Sequence, residues 1–220
     1  YDAESNDAIA WFADGHDSIS LAGITKESLG TSVTLKLKQA CLSLAEDPEI
    51  ETTVCKYADW LTVPIFVGDS ASRSNQCTAP WLEATCEEEE VAEALEARFD
   101  ETPLHSIPIR VQKPVNIQGA IYVSPRRTPG FTGDSTVTLT VRRMVIREDI
   151  DGMFPAWASM FRGVLEMPLL TPTTSREDVI RNEEFLRTTA YLEEFLFNHF
   201  QKLAQDSPEQ LQRIITWHRY

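Results

Sequence analysis

Arg176 is the residue whose type and setting point most directly to chemistry. It follows Thr173-Thr174-Ser175 and precedes Glu177, at the head of a stretch in which Phe185, Leu192, Phe195, Leu196, Phe200 and Leu203 recur at helical spacing. The spacing predicts a helix that opens with Ser175 as N-cap and Asp178 three residues on. A helix start leaves free N–H groups and a partial positive charge, so an arginine in its first turn makes an anion site, phosphate above all. Read plainly, the same residues are a capped helix end and a solvated charge paired with Glu177 or Glu183.

No other constellation carries chemistry. The chain has no GxSxG, HExxH, Walker loop or GxGxxG, and His16, His105, His199 and His218 stand alone in sequence. Cys41, Cys55, Cys77 and Cys86 form no CxxC pair and have no histidine at metal-ligand spacing, so they read as small half-buried hydrophobes and no metal is expected. Lys+Arg total 20 against 34 for Asp+Glu, and a net charge of −14 repels phosphate backbones and anionic membranes. Nucleic acid and membrane are excluded as partners. There is no signal peptide and no run of about 18 apolar residues, so reduced thiols and a cytoplasmic location are expected. At 220 residues and 42% hydrophobic, the chain is long enough to bury a core.

The elements that must position Arg176 follow from periodicity. Ala8–Ala13 and Ser18–Ala22 flank the Asp14-Gly15-His16-Asp17 turn as a hairpin, and Thr31–Lys38 alternates as a third strand. Three strands are too few for a domain, and they read as the tail of a domain whose beginning is missing. From Ala40 to Leu61 the pattern is helical, opened by Asp47-Pro48-Glu49. Val63–Val67 reads as a buried strand, Gly68–Pro80 as a polar loop ending at Trp81, and Cys86–Phe99 as a helix with acids in its first turns. Ile107–Val111, Val115–Val123 and Thr136–Arg147 read as strands, with a Gly/Pro loop at Pro125–Asp134 carrying Arg126-Arg127 and Phe131. The segment with Trp157 and Phe161 is a buried elbow, and a last helix follows Asp206-Ser207-Pro208 to His218. Helices before, between and after a mixed sheet make an α/β sandwich.

Four blocks in order, GAIYVSPRRTPGF, TVTLTVRRMVIRED, FPAWASMFRGVL and SREDVIRNEEFL, resemble the middle segment of the heat-shock protein 90 (HtpG-type) chaperones. Upstream, Trp11, Gly30-Thr31 and the TLKLK strand resemble the last strands of that family's nucleotide-binding domain, and Lys56–Phe66 (KYADWLTVPIF) resembles the stretch that joins the two. The resemblance implies an αβα middle domain with a mixed sheet and a left-handed, ribosomal-protein-like βαβ unit, followed by the start of a helical coil. It sets 1–40 as the tail of the nucleotide-binding domain, 41–62 as a linker helix, 63–205 as the middle domain and 206–220 as the start of the coil.

The family's SRE arginine reaches the γ-phosphate of ATP held by the amino-terminal domain, so the resemblance implies that role for Arg176 and makes ATP, with magnesium, the cofactor. Thr31 matches a threonine lining the adenine pocket. Trp81, Phe131, Arg126 and Arg127 are implied in contacts with client proteins or with other domains, while Trp81 read plainly is a core anchor for the Cys86–Phe99 helix. The partners implied are clients, the chain's own amino-terminal ATP domain and a carboxy-terminal dimerisation domain, in a homodimer. Two departures stand out: Thr173 replaces the family asparagine, and Ile180 replaces its glutamine. The glutamate that activates water belongs to a region outside this sequence, so this chain alone is expected to hydrolyse nothing. A transducer domain of a mismatch-repair or topoisomerase-type ATPase, or a non-catalytic adaptor of the same fold, are the alternatives.

Overall fold

Short alternating runs separated by turn residues dominate the middle of the chain, and there they fold into one sheet. The computed structural model describes residues 6–15, 18–83, 85–127 and 136–218. Strands β3 (His105–Val111), β4 (Ile117–Val123), β5 (Thr136–Val141), β6 (Met144–Arg147) and β7 (Phe161–Glu166) lie in the order β3-β4-β7-β5-β6. β5 and β7 run parallel and every other pair is antiparallel. The connection from β5 to β7 passes through β6 and a single 3-10 turn at Ala156–Ala158.

Alternation along the strands decides which residues meet which helices. Ile117, Ile121 and Val123 of β4 join Ile107, Ile109, Leu139, Phe161 and Leu165 in a core covered by Phe185, Leu192, Leu196 and Leu203 of α3 (Glu183–Asp206) and Ile214 of α4 (Pro208–His218). Ala120 and Tyr122 of β4, with Val145 and Val164, belong to a second cluster, completed by Val91 and Leu95 of α2 (Glu88–Phe99) and by Trp60, Trp81 and Leu82. Helices therefore cover both faces of a mixed sheet, the α/β sandwich expected from the sequence.

Backbone crowding at the sheet centre accounts for the glycine of the RGVL block. Gly163 sits on β7 opposite Ile121, with φ at +138°, and a Cβ there would lie 2.3 Å from the Ala120 carbonyl oxygen. Only a residue without a side chain fits.

The chain divides into two compact units, 1–43 and 44–220. The first holds one antiparallel hairpin, β1 (Asp7–Ala13) with β2 (Ile19–Thr25), in register from Asp7 opposite Thr25 to Ala13 opposite Ile19. Its apolar residues Ile9, Trp11, Phe12, Ile19 and Leu21 are exposed, as expected of two strands with no face to bury against. The predicted third strand at Thr31–Lys38 does not form: these residues have no strand pairing.

Three further expectations are corrected. The Ala40–Leu61 helix is a 3-10 segment, Gln39–Ala45, and then α1 (Asp47–Tyr57). Val63–Val67 is not a strand. Asn75, 2% exposed, takes its place as organiser: its Oδ1 accepts from Ile65 N–H at 2.8 Å, and its Nδ2 donates to the Leu61 and Val63 carbonyls at 3.1 Å each. One buried amide thus satisfies backbone groups that a ladder would otherwise pair. Thr136–Arg147 is two strands, because Arg142 and Arg143 both adopt positive φ (53° and 67°) and turn the chain back on itself. The buried Glu166 carboxylate accepts from Arg143 N–H at 3.0 Å and from the Thr140 hydroxyl, which holds that turn.

Candidate functional site

Arg176 does not lie in a helix. α3 begins at Glu183, with Asn182 as N-cap accepting from Phe185 N–H at 3.0 Å and Glu183-Glu184 matched to the positive end of the dipole. The predicted capping by Ser175 is therefore replaced by a hairpin-like loop. Pro172 bridges Val179 in antiparallel fashion, Ile180 N–H donates to Thr171 O at 2.8 Å, and Thr173 N–H donates to Asp178 O at 2.8 Å. Pro172, Thr173, Val179 and Ile180 favour extended backbone over helix, which is the physical reason for the difference.

Arg176 is the pivot of the loop tip. Its N–H donates to Thr173 O at 3.0 Å, and its own backbone is left-handed, with φ at +60°. Below the tip, Arg181 acts as a clamp. It donates to the Asp178 carboxylate at 2.8 Å and to Asp151 O at 3.1 Å, and its guanidinium lies 4.4 Å from the Phe185 ring centroid. Burial opposes ionisation of Asp178, but the hydrogen bonds from Arg181 and Val179 N–H hold its carboxyl below the usual carboxylate value.

The tip forms one wall of an open cavity of about 720 Å³, lined by Ser175, Arg176 and Glu177, by Met144–Glu148 of β6 and its end, and by Lys56 and Tyr57 of α1. Arg176 makes no ion pair among the described residues; its Nη1 lies 3.4 Å from the Met144 sulfur. Arg147 is neutralised by Asp149 at 3.0 Å, a contact that raises the guanidinium's pKa. The arrangement offers a planar, permanently charged donor to an anion entering from outside. Among the described residues no group of three or more His, Cys, Asp or Glu stands close enough to hold a metal ion. Lys56 was not singled out by sequence as a site residue, although the KYADW block contains it.

The remaining expected site residues are dispersed. Thr31 belongs to the 1–43 unit and is exposed. Phe131 lies outside the described residues. Trp81, expected at a contact surface, is 3% exposed and packs edge-on against Trp60 with ring centroids 5.7 Å apart, so it is a core residue. Its Nε1 has no hydrogen-bond partner.

Arg126 and Arg127 are both exposed and take different partners. Arg126, with 65% of its side chain exposed, pairs with the buried Glu101 carboxylate at 2.8 Å, where Tyr122 donates at 2.8 Å, Ser124 at 3.1 Å and Arg162 approaches to 3.4 Å. Burial, and then the hydrogen bond to Glu101, pushes the Tyr122 hydroxyl far up. Arg127 lies over the Trp217 ring at 5.2 Å, and Trp217 Nε1–H donates to Pro125 O at 2.7 Å. Nothing in the sequence set Glu101 apart from Asp100 beside it, because its partners come from β4, β7 and the loop after β4.

Among the described residues, no helix is long and apolar enough to cross a membrane. No family model matches the chain. Curated relatives do. The chaperone protein HtpG of Methylobacterium nodulans is 33% identical over 187 residues, 80% of this chain and 30% of that protein. HtpG of Chlorobium phaeovibrioides is 23% identical over 94% of this chain and 34% of its own length. The mitochondrial TNF receptor-associated protein 1 homolog of Dictyostelium discoideum is 23% identical over 94% of this chain and 30% of its own length. The chain thus spans about a third of these relatives, and over 80–94% of its own length it is a homologue of the HtpG-type heat-shock protein 90 chaperones.

Proposed function

We propose that this chain is the middle portion of an ATP-dependent chaperone and that Arg176 is its contribution to ATP hydrolysis, supplied to nucleotide held by another domain. The observation that carries this reading is an arginine with no carboxylate partner among the described residues, fixed at the tip of a clamped loop and lining an open cavity. Phosphoryl transfer spreads negative charge over the outer phosphate oxygens, and a guanidinium positioned beforehand stabilises that charge without reorganising. Arg181 and the Thr173–Asp178 pairing would keep the tip from relaxing onto the nearby acids Glu148 and Glu177. Magnesium would be held by the domain that carries the nucleotide. Client proteins would dock outside this cavity, with Arg126 and Arg127 at the contact, and the full-length protein would be a cytoplasmic homodimer joined through a further domain.

Arg176→Gln in the full-length protein tests the reading. Loss of an arginine acting on the transferred phosphoryl group lowers turnover by about a hundredfold or more, whereas loss of a surface charge leaves turnover within about threefold. The second outcome, with folding intact, favours a non-catalytic adaptor. One observation supports that alternative: Ile180, which stands where the family pattern has glutamine, is 48% exposed and offers an aliphatic chain instead of an amide.

A further inference from the structure

The cavity beneath Arg176 has a second cation with no carboxylate of its own. Lys56, in the last turn of α1, lines the same cavity as the loop tip, and its Nζ stands 5.0 Å from the centroid of the neighbouring Tyr57 ring. It makes no ion pair among the described residues. In a chain of net charge −14, two cations lining one cavity without an ion pair among the described residues are not what the composition supplies by default.

The same walls narrow the class of ligand. Glu148 and Glu177 also line the cavity, so a single negative charge entering it would gain little from Lys56 and Arg176. An anion with charged oxygens spread along a chain can place separate oxygens at each cation and hydrogen-bond both at once, which a single compact charge cannot. A lysine ammonium suits one end as a compact point charge, and a guanidinium suits the other as a planar fork. We infer that Lys56 is a second phosphate-binding residue of this cavity, acting with Arg176 on the terminal phosphates of a nucleoside triphosphate. The inference rests on the phosphate-directed reading of Arg176 given above and adds a consequence: an occupied cavity ties α1 to the Thr171–Ile180 loop through the ligand.

The test uses this chain and inorganic tripolyphosphate as probe, followed by backbone amide chemical shifts at low salt. Saturable shifts are expected at Lys56, Tyr57, Val145–Arg147 and Ser175–Glu177. Lys56→Gln and Arg176→Gln should each weaken the apparent affinity by about fivefold or more, while Lys56→Arg stays within about twofold, because charge and not shape is required there. Both positions are exposed, so unfolding temperatures should be unchanged. In the full-length protein, Lys56→Gln should lower kcat/KM for ATP by about tenfold and Lys56→Arg should restore it. Absence of saturable shifts, or parental affinity in Lys56→Gln, overturns the inference. If Arg176→Gln alone weakens binding, Lys56 is excluded and the Arg176 reading stands. If both variants weaken tripolyphosphate binding while Arg176→Gln leaves turnover unchanged, the two-cation site holds and the catalytic reading fails.

Discussion

The Nε2 atoms of His105 and His199 face each other at 2.8 Å, joining the first residue of β3 to the middle of α3. Gln210 Nε2 donates to His105 Nδ1 at 3.1 Å, which brings α4 into the same chain of hydrogen bonds. His105 then carries its proton on Nε2 and donates it to His199, whose own proton sits on Nδ1. A neutral pair satisfies this geometry, and protonating His199 Nε2 places two N–H groups against each other.

That pairing makes stability depend on pH. Burial lowers the pKa of His105, with His199 adding to the effect and Glu88 of α2 opposing it. Burial also lowers the pKa of His199, helped by Lys202. A base whose folded pKa is depressed binds more protons when unfolded, so stability is complete above the unfolded histidine value, about 6.5, and falls as pH drops below it. Thermal unfolding between pH 7.5 and about 5 should show a falling midpoint, with a shallower fall in His199→Phe. His218, also lowered chiefly by burial, contributes to the residual slope. Equal slopes in parent and variant would exclude the pair as the source.

Gly163→Ala should be among the most disruptive single-methyl changes in the sheet. The added Cβ meets backbone on both counts, 2.3 Å from Ala120 O and 2.7 Å from Ile121 Cα, at a positive φ that alanine disfavours. Neither neighbour can move without breaking the β4–β7 ladder, so a loss of about 2 kcal/mol or more is expected by denaturant unfolding. Gly152→Ala is the control: its φ is also positive, at +73°, but nothing lies within 4 Å of the added methyl. A loss no larger than the control's would refute the clash.

The segment read as a buried elbow is in part β7, Phe161–Glu166, which lies between β4 and β5 at the centre of the sheet, whereas β3, β4 and α2 were legible because alternation and helical spacing report burial directly. The loop carrying Arg176 was not. Ser175 and Asp178 satisfy a capping pattern in sequence, but their atoms go elsewhere: Asp178 Oδ1 accepts from Val179 N–H and Arg181, and Ser175 Oγ lies 3.3 Å from Thr173 Oγ1. The turn at Arg142-Arg143 was equally hidden, because the glycine or asparagine that usually marks such a turn is absent and the acceptor, Glu166, is distant in sequence. For Arg176 the sequence shows the residue and not the geometry around it. Arg176 is where the sequence put it, on a loop tip instead of a helix end.

Trp81 packs against Trp60 and not against solvent, so its fluorescence should be blue-shifted and shielded. With the other four tryptophans replaced, iodide or acrylamide should quench it weakly until the chain unfolds. Strong quenching in the folded state would return Trp81 to a surface role.

Arg181 sets how firmly the Arg176 tip is held, without reaching the cavity itself. Its guanidinium joins Asp178, the Asp151 carbonyl and the Phe185 ring, so it ties the base of the loop to the segment before β7 and to the first turn of α3. Arg181→Ala removes all three contacts together, and Arg181→Lys keeps the charge but loses the fork that spans them. Because the site is about one-third exposed, a loss of global stability of about 1 kcal/mol is expected, little for a three-way contact. The local effect should be larger. Amide exchange at Thr173, Arg176 and Ile180, whose N–H groups hold the loop, should accelerate by about tenfold or more, while β4 and β7 amides keep their protection. In the full-length protein the same variant should lower turnover less than Arg176→Gln does, since the cation is still present but visits the productive position less often. Unchanged exchange at Thr173 and Ile180 would show that the loop holds its shape without the clamp, and then the backbone pairing from Pro172 to Val179 alone positions Arg176.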